Sequence, residues 1–162
     1  MFTADGFVTE LRTLGVTHVV GVPDSTLGEW FPAVAQSTDV TLVSVCREGE
    51  AWAVAGGLWV GGAAPVVLIQ CTGLFESGDS LRNAIYDYGL PLFGIVGYRS
   101  YLSQSTLAHD SARTFTEPIL KAWQLDTVLI DAPEKTGLLA EHYRTCRQQK
   151  KPGIALIAEG KA

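Results

Sequence analysis

The sequence predicts an α/β fold: an open, doubly wound, mostly parallel six-stranded sheet with helices on both faces. Three observations predict it. Helix-like and strand-like patterns alternate along all 162 residues. The strand-like segments are continuous apolar runs, not in/out alternations, so both of their faces are buried, as in a parallel sheet between helix layers. The connections are long enough for right-handed βαβ crossovers.

The elements follow in order. Residues 3–14 place Phe7, Leu11 and Leu14 on one stripe, the period of an amphipathic helix, and Gly15 stops it. Residues 18–22 form a β-branched strand ended by Pro23-Asp24-Ser25. A helix over 26–36 is shortened or kinked by Pro32. A strand covers 41–45 and a helix 48–61. Residues 65–69, Pro-Val-Val-Leu-Ile, are the clearest buried strand. The segment 72–78 reads as a loop with Asp79 as N-cap of a helix over 79–88. A strand over 91–96, a polar loop over 99–111 and a helix over 114–125 come next. A strand over 127–130, an amphipathic helix over 134–149 and a strand over 153–157 complete the chain.

Composition narrows the function classes. Apolar residues make up 47% and charged residues 18%, less polar cover than a lone monomer carries, so part of the surface is expected to be buried by another subunit. A net charge of -5 with no basic run argues against nucleic acid as a partner. The cysteines, Cys46, Cys71 and Cys146, form no CxxC and no zinc-finger spacing, so no metal site is expected. Their odd number and the absence of a signal-like N-terminus suit a reducing cytoplasm. No apolar run reaches the roughly 18 residues that span a bilayer, so no membrane is expected.

Sites in such sheets lie beyond the carboxyl ends of the strands. Those ends are Pro23-Asp24-Ser25, Cys46-Arg47-Glu48, residues 70–79 and residues 97–109. No GxGxxG, P-loop or GxSxG pattern occurs there. Gly73 and Gly78 precede a helix that could receive an anion, but Glu76 and Asp79 oppose one. His109 reads either as a general acid/base or as a solvated loop residue, and His18 and His142 as structural or solvent-facing. Glu48 and Glu50 stand at the mouth of a Gly/Ala-rich helix. The helix macrodipole explains either. It explains less well the small residues Ala53, Gly57 and Gly61, four apart, since glycine within a helix costs about 1 kcal/mol relative to alanine. Close packing against another helix compensates, and a carboxylate at that helix head would lie at a packed interface.

A resemblance rests on these segments in order: Gly21-Val22-Pro23-Asp24-Ser25; Arg47-Glu48-Gly49-Glu50-Ala51 with Ala55-Gly56-Gly57; Gln70-Cys71-Thr72-Gly73-Leu74; Gly89-Leu90-Pro91-Leu92; and Gly97-Tyr98-Arg99. Together, over roughly residues 1–130, they resemble the pyrimidine-binding (Pyr) domain of thiamine-diphosphate-dependent 2-oxo acid decarboxylases, in the sulfopyruvate and phosphonopyruvate decarboxylase branch. The resemblance implies that Glu48 hydrogen-bonds N1′ of the cofactor's aminopyrimidine and favours the imino tautomer that removes the thiazolium C2 proton. It implies that Asp24 and Ser25 border the thiazolium and that Thr72, Gly73 and Leu74 line the pyrimidine. Phe75, Glu76, Arg99 and His109 would face the substrate. Phe75-Glu76 replaces the family's Gly-Asn, and Glu76 would repel a second anionic group on the substrate. Glu50 reads as helix-head charge or as a group supporting Glu48.

The family's diphosphate-binding half, with its Gly-Asp-Gly motif and Mg²⁺-holding asparagines, has no counterpart here. The resemblance therefore implies a single Pyr domain over residues 1–162, acting as an alpha subunit. A separate diphosphate-binding beta subunit would hold Mg²⁺ in a hetero-oligomer such as α2β2, active on a 2-oxo acid only when assembled. A carboligase subunit of the acyloin or acetolactate-synthase kind and a catalytically silent regulatory domain are the alternatives. A flavodoxin-like flavin binder would want a Ser/Thr-rich phosphate loop after the first strand, and none is present.

Overall fold

In the computed structural model, residues 1–24, 27–103 and 110–159 are described. The sheet is built from β1 (His18–Gly21), β2 (Thr41–Ser44), β3 (Pro65–Gln70), β4 (Phe93–Tyr98), β5 (Asp126–Ile130) and β6 (Gly153–Ala158). Its order is β2-β1-β3-β4-β6-β5, and every pairing is parallel. All six residues of β3, of β4 and of β6 are buried, as continuous apolar runs require. Alternate residues feed two cores. Val67 and Ile69 point to one face with Val96, Ile154 and Leu156, whereas Val66 and Leu68 point to the other with Phe93, Ile95, Ala155 and Ile157.

The helices are α1 (Ala4–Thr13), α2 (Trp30–Ala35), α3 (Glu48–Val60), α4 (Cys71–Glu76), α5 (Gly78–Arg82), α6 (Ser111–Ala122) and α7 (Gly137–Gln149). Helices α1, α2 and α7 close one core through Phe7, Leu11, Phe31, Val34, Leu139 and Tyr143. Helices α3 to α6 close the other through Trp52, Ala55, Leu74, Leu81 and Leu120. Start and stop signals are local. Thr3 accepts from the Gly6 amide at 3.1 Å to open α1, and Gly15 at φ 72° ends that segment. Lys150 takes the left-handed conformation after α7. Among the described residues, no helix is long and apolar enough to cross a membrane.

Several boundaries differ from expectation. The largest difference lies at 72–78: β3 passes directly into α4, so the expected loop is helical. Asp79 does not cap the next helix. Ser77 holds that position, and Asp79 instead accepts from Arg82 at 2.9 Å. The helix over 79–88 becomes α5 followed by a π-helical turn, Asn83–Asp87. Helix α6 starts earlier than expected because Asp110 caps it, accepting from the Ala112 amide at 3.0 Å. Near Pro32 only the short α2 forms.

Trp52 organises the α3 core. Its indole N–H donates to Ser77 Oγ at 3.0 Å, and its ring lies over Gly94 of β4. A Cβ at Gly94 would stand 2.9 Å from that ring and 2.8 Å from Ile154 Cδ1. Gly94→Ala is therefore expected to overpack this core and lower stability by about 1–3 kcal/mol. A urea midpoint equal to that of the parent chain would contradict this packing.

Candidate active site

The chain leaves β1 for β2 on one side, then returns across β1 to form β3 on the other. The crevice beyond the carboxyl ends of β1 and β3 is thus a topological switch point, where doubly wound sheets bind ligands. Asp24 beyond β1, the head of α3 and the start of α4 meet there.

Helix α3 opens with extended Arg47 as its N-cap, whose side chain makes no capping bond. Two carboxylates accept from backbone amides at this helix head instead. Glu50 Oε2 accepts from the Cys46 amide, just before the N-cap, at 3.0 Å. Glu76 reaches across from α4. Its Oε2 accepts from the Gly49 amide at 2.8 Å, and its Oε1 accepts from Arg47 Nε at 2.9 Å and from Arg47 Nη2. The Gly49 amide first, and the Arg47 guanidinium second, hold the Glu76 carboxyl below the usual carboxylate range. Glu76 is therefore not a bare charge aimed at a substrate. It is the clasp between α3 and α4, and a cation and a helix N-terminus offset its charge.

Glu48 takes part in neither of these bonds. Its half-buried side chain lies over Gly73 of α4. A Cβ at Gly73 would fall 2.3 Å from Glu48 Cγ and 2.6 Å from Oε1, so only glycine admits the carboxylate there. Among the described residues the Glu48 carboxylate makes no hydrogen bond or ion pair.

The other candidates divide. Asp24 and Thr72 are joined by Gln70, a motif residue to which the sequence assigned no role. Gln70 Nε2 donates to both Asp24 carboxylate oxygens at 3.0 Å, and Thr72 Oγ1 donates to Gln70 Oε1 at 2.6 Å. The available signal was a lone polar residue closing an apolar strand. Leu74 is fully buried and Phe75 packs on the same core, so both side chains anchor α4 from within. Arg99 forms a forked pair with Asp110 at 3.2–3.3 Å and so is not turned to the crevice as an unpaired cation. Burial works to raise the Asp110 pKa, but the Ala112 amide, the Ser100 hydroxyl and Arg99 together bring it below its ordinary value. Ser25 and His109 lie outside the described residues.

Beside the site runs an apolar groove of about 740 Å³ between α3 and α5, with Ala53, Gly57, Val60 and Tyr88 on its walls. Gly56 turns inward, where an added Cβ would stand 3.0 Å from Leu90 Cδ1, whereas Gly57 faces open space. Val60 and Tyr88 are each 76% exposed, unusual for large apolar side chains.

The clasp has a pH signature. A carboxyl with a lowered folded-state pKa adds stability that is complete above its unfolded value, about 4.3, and is lost as pH falls through the folded value. Glu76→Gln is expected to flatten the acid limb of stability against pH and to leave other limbs alone. Superimposable acid limbs in urea titrations of the two proteins would contradict the clasp.

A family profile described as "Thiamine pyrophosphate enzyme, N-terminal TPP binding domain" matches residues 1–125. Phosphonopyruvate decarboxylase from Streptomyces viridochromogenes is 30% identical over 148 residues, which is 91% of this chain and 37% of that protein. The chain thus spans little more than a third of that relative's length. Sulfopyruvate decarboxylase subunit alpha from Methanocaldococcus jannaschii is 19% identical over 147 residues, covering 91% of this chain and 87% of that one. Among solved structures, benzoylformate decarboxylase from Polynucleobacter necessarius superposes with a TM-score of 0.70 at 23% identity, over 100% of this chain and 32% of that one, a likeness of fold. The profile covers most of the chain and includes Glu48, Gly73 and the crevice between β1 and β3, so the chain belongs to the thiamine pyrophosphate enzymes as their N-terminal TPP-binding domain.

Proposed function

We propose that this chain is the alpha, Pyr-domain subunit of a two-chain thiamine-diphosphate-dependent 2-oxo acid decarboxylase, in which Glu48 is the catalytic carboxylate. The observation that carries the reading is the seat of Glu48 over Gly73. A carboxylate held by close approach, yet given no partner among the described residues, has its acceptor capacity left for a ligand. A neutral ring nitrogen only accepts, but the protonated N1′ of an aminopyrimidine donates, so the carboxylate fits this cofactor in that protonated form. Thiamine diphosphate, when bound, supplies the carbanion-stabilising chemistry of decarboxylation.

The chain's own residues then have distinct tasks. Glu48 holds a proton at N1′ of the aminopyrimidine. Gly73 leaves the space in which that carboxylate sits, and Thr72 borders the ring. Asp24, fixed by Gln70, closes the crevice on the β1 side. Diphosphate and Mg²⁺ are assigned to a separate beta subunit. The near-complete coverage of a relative named as a subunit alpha supports that division. The exposed apolar groove along α3 supports burial against another chain. The offsetting of Glu76 by Arg47 and Gly49 also bears on substrate. It removes the repulsion that a bare Glu76 would exert on a second anionic group, so a sulfonate- or phosphonate-bearing 2-oxo acid is compatible with the site.

The test uses the chain reconstituted with its diphosphate-binding partner, thiamine diphosphate and Mg²⁺. Glu48→Gln is expected to slow proton exchange at cofactor C2 and lower kcat by about 10²–10⁴-fold. Unchanged turnover would overturn the role and favour a silent regulatory domain. Gly73→Ala should mimic that loss while leaving circular dichroism unchanged, since the added methyl displaces Glu48 rather than the core. Full activity in Gly73→Ala would show that Glu48 works from elsewhere.

A further inference from the structure

The last residue of β3 is a buried polar side chain at the crevice. Gln70 closes a strand whose other residues are all apolar, and it is only 6% exposed. A buried amide in such a place is costly unless both of its ends are paired. Both are. Nε2 lies 3.0 Å from each Asp24 carboxylate oxygen, and Oε1 lies 2.6 Å from Thr72 Oγ1. Strand β1 pairs with β3 as far as Gly21 and Leu68, so Asp24 beyond one strand and Gln70 at the end of the other meet across the switch point.

The direction of these bonds is fixed. A carboxylate only accepts, so the Gln70 nitrogen faces Asp24 and the Gln70 oxygen faces Thr72. The Thr72 hydroxyl therefore donates, and its bond keeps the amide from turning over. A flipped amide would set its oxygen against the two Asp24 oxygens. One planar amide thus bears on both oxygens of Asp24 at the same 3.0 Å, which restrains rotation of that carboxylate. The residue after Thr72 is Gly73, the seat of Glu48. Residues 70–73 accordingly hold two carboxylates in two ways, Glu48 by contact and Asp24 by a donor.

We propose that Gln70 is a positioning residue: aimed by Thr72, it orients the Asp24 carboxylate toward the bound 2-oxo acid and acts on the reaction only through Asp24. The inference rests on the proposed function and divides its labour. Glu48 serves the aminopyrimidine and cofactor activation, whereas Asp24 serves the substrate side and the steps that follow. Misplacing a group at a reacting centre by an ångström costs about 10²-fold in rate. A methionine at position 70 keeps the length and the burial of the side chain but offers no donor, so Asp24 loses its orienting partner while the space stays filled. An amide with a merely structural role would behave otherwise, since its loss would weaken the site whether or not Asp24 were present.

Two measurements test this. The first uses the full chain alone. In amide NMR spectra of the isotope-labelled chain, the Gln70 side-chain signal, assigned by its loss in Gln70→Met, is expected to shift in Asp24→Ala and in Thr72→Val. A signal that stays in place in either variant would overturn the proposal. The second uses the chain reconstituted with its diphosphate-binding partner, thiamine diphosphate and Mg²⁺, with sulfopyruvate and phosphonopyruvate as probe substrates. Gln70→Met is expected to lower kcat by about 10–10²-fold and to leave proton exchange at cofactor C2 at the parental rate. Asp24→Ala/Gln70→Met should turn over no more slowly than Asp24→Ala, because the second change has nothing left to misplace. Parental turnover in Gln70→Met or in Asp24→Ala, slowed C2 exchange in Gln70→Met, or multiplied losses in the double variant would each overturn the proposal and leave the role of Glu48 standing. Parental C2 exchange in Glu48→Gln, with the Gln70 results as expected, would sink the Glu48 role alone. No turnover of either acid by the parent complex would remove the proposed function and this inference with it.

Discussion

The close approach of α4 to the head of α3 is the constraint on which the site depends. Helix α4 begins with no intervening loop at the end of β3, so its path is set by a fully buried strand. That path brings residue 73 against Glu48 and residue 76 against Arg47 and Gly49. Three consequences come from one geometry. Position 73 can carry no side chain while Glu48 keeps this seat, the orphan amide of Gly49 is satisfied from outside its own helix, and among the described residues the Glu48 carboxylate is held by contact and not by a hydrogen bond. Trp52, one turn further along α3, ties the same helix to Ser77 at the end of α4. The clasp is thus made twice, once by charge at the surface and once by an indole in the core.

What the sequence made legible follows from the range of each interaction. β3, β4 and β6 were readable because burial on both faces leaves an uninterrupted apolar run. The role of Glu50 was readable because its partner, the Cys46 amide, is four residues away. The motifs resembling a Pyr domain singled out Glu48, which the fold places at the head of α3 against Gly73. Helix α4 was not readable as a helix: it is six residues long and contains Gly73, a poor helix former. Glu76 was misread because its partner, Arg47, lies 29 residues earlier, and only the fold brings them together. The link from Gln70 to Asp24 was missed for the same reason, the two being 46 residues apart. Arg99 looked like a substrate ligand until the Asp110 cap of α6 was seen to hold it.

The small residues of α3 serve two masters. Gly56 faces inward and accommodates Leu90. Ala53, Gly57 and Val60 face outward along the groove that also exposes Tyr88. Under the proposed function, a helix with a carboxylate at its head and an apolar outer wall would join cofactor chemistry and subunit contact in one rod. Glu48 and any chain seated in the groove therefore move together, because no hinge separates residue 48 from residue 60.

Gly73 has a consequence beyond mechanism. In a lineage that keeps a glutamate at position 48, this backbone leaves position 73 no freedom to drift, since even one methyl group intrudes on the carboxylate. A lineage that abandons the glutamate is released from that restriction at once, while Trp52 and the clasp still hold the fold. The residue at 73 then becomes a historical marker, distinguishing descendants that retained the chemistry from those that retained only the scaffold.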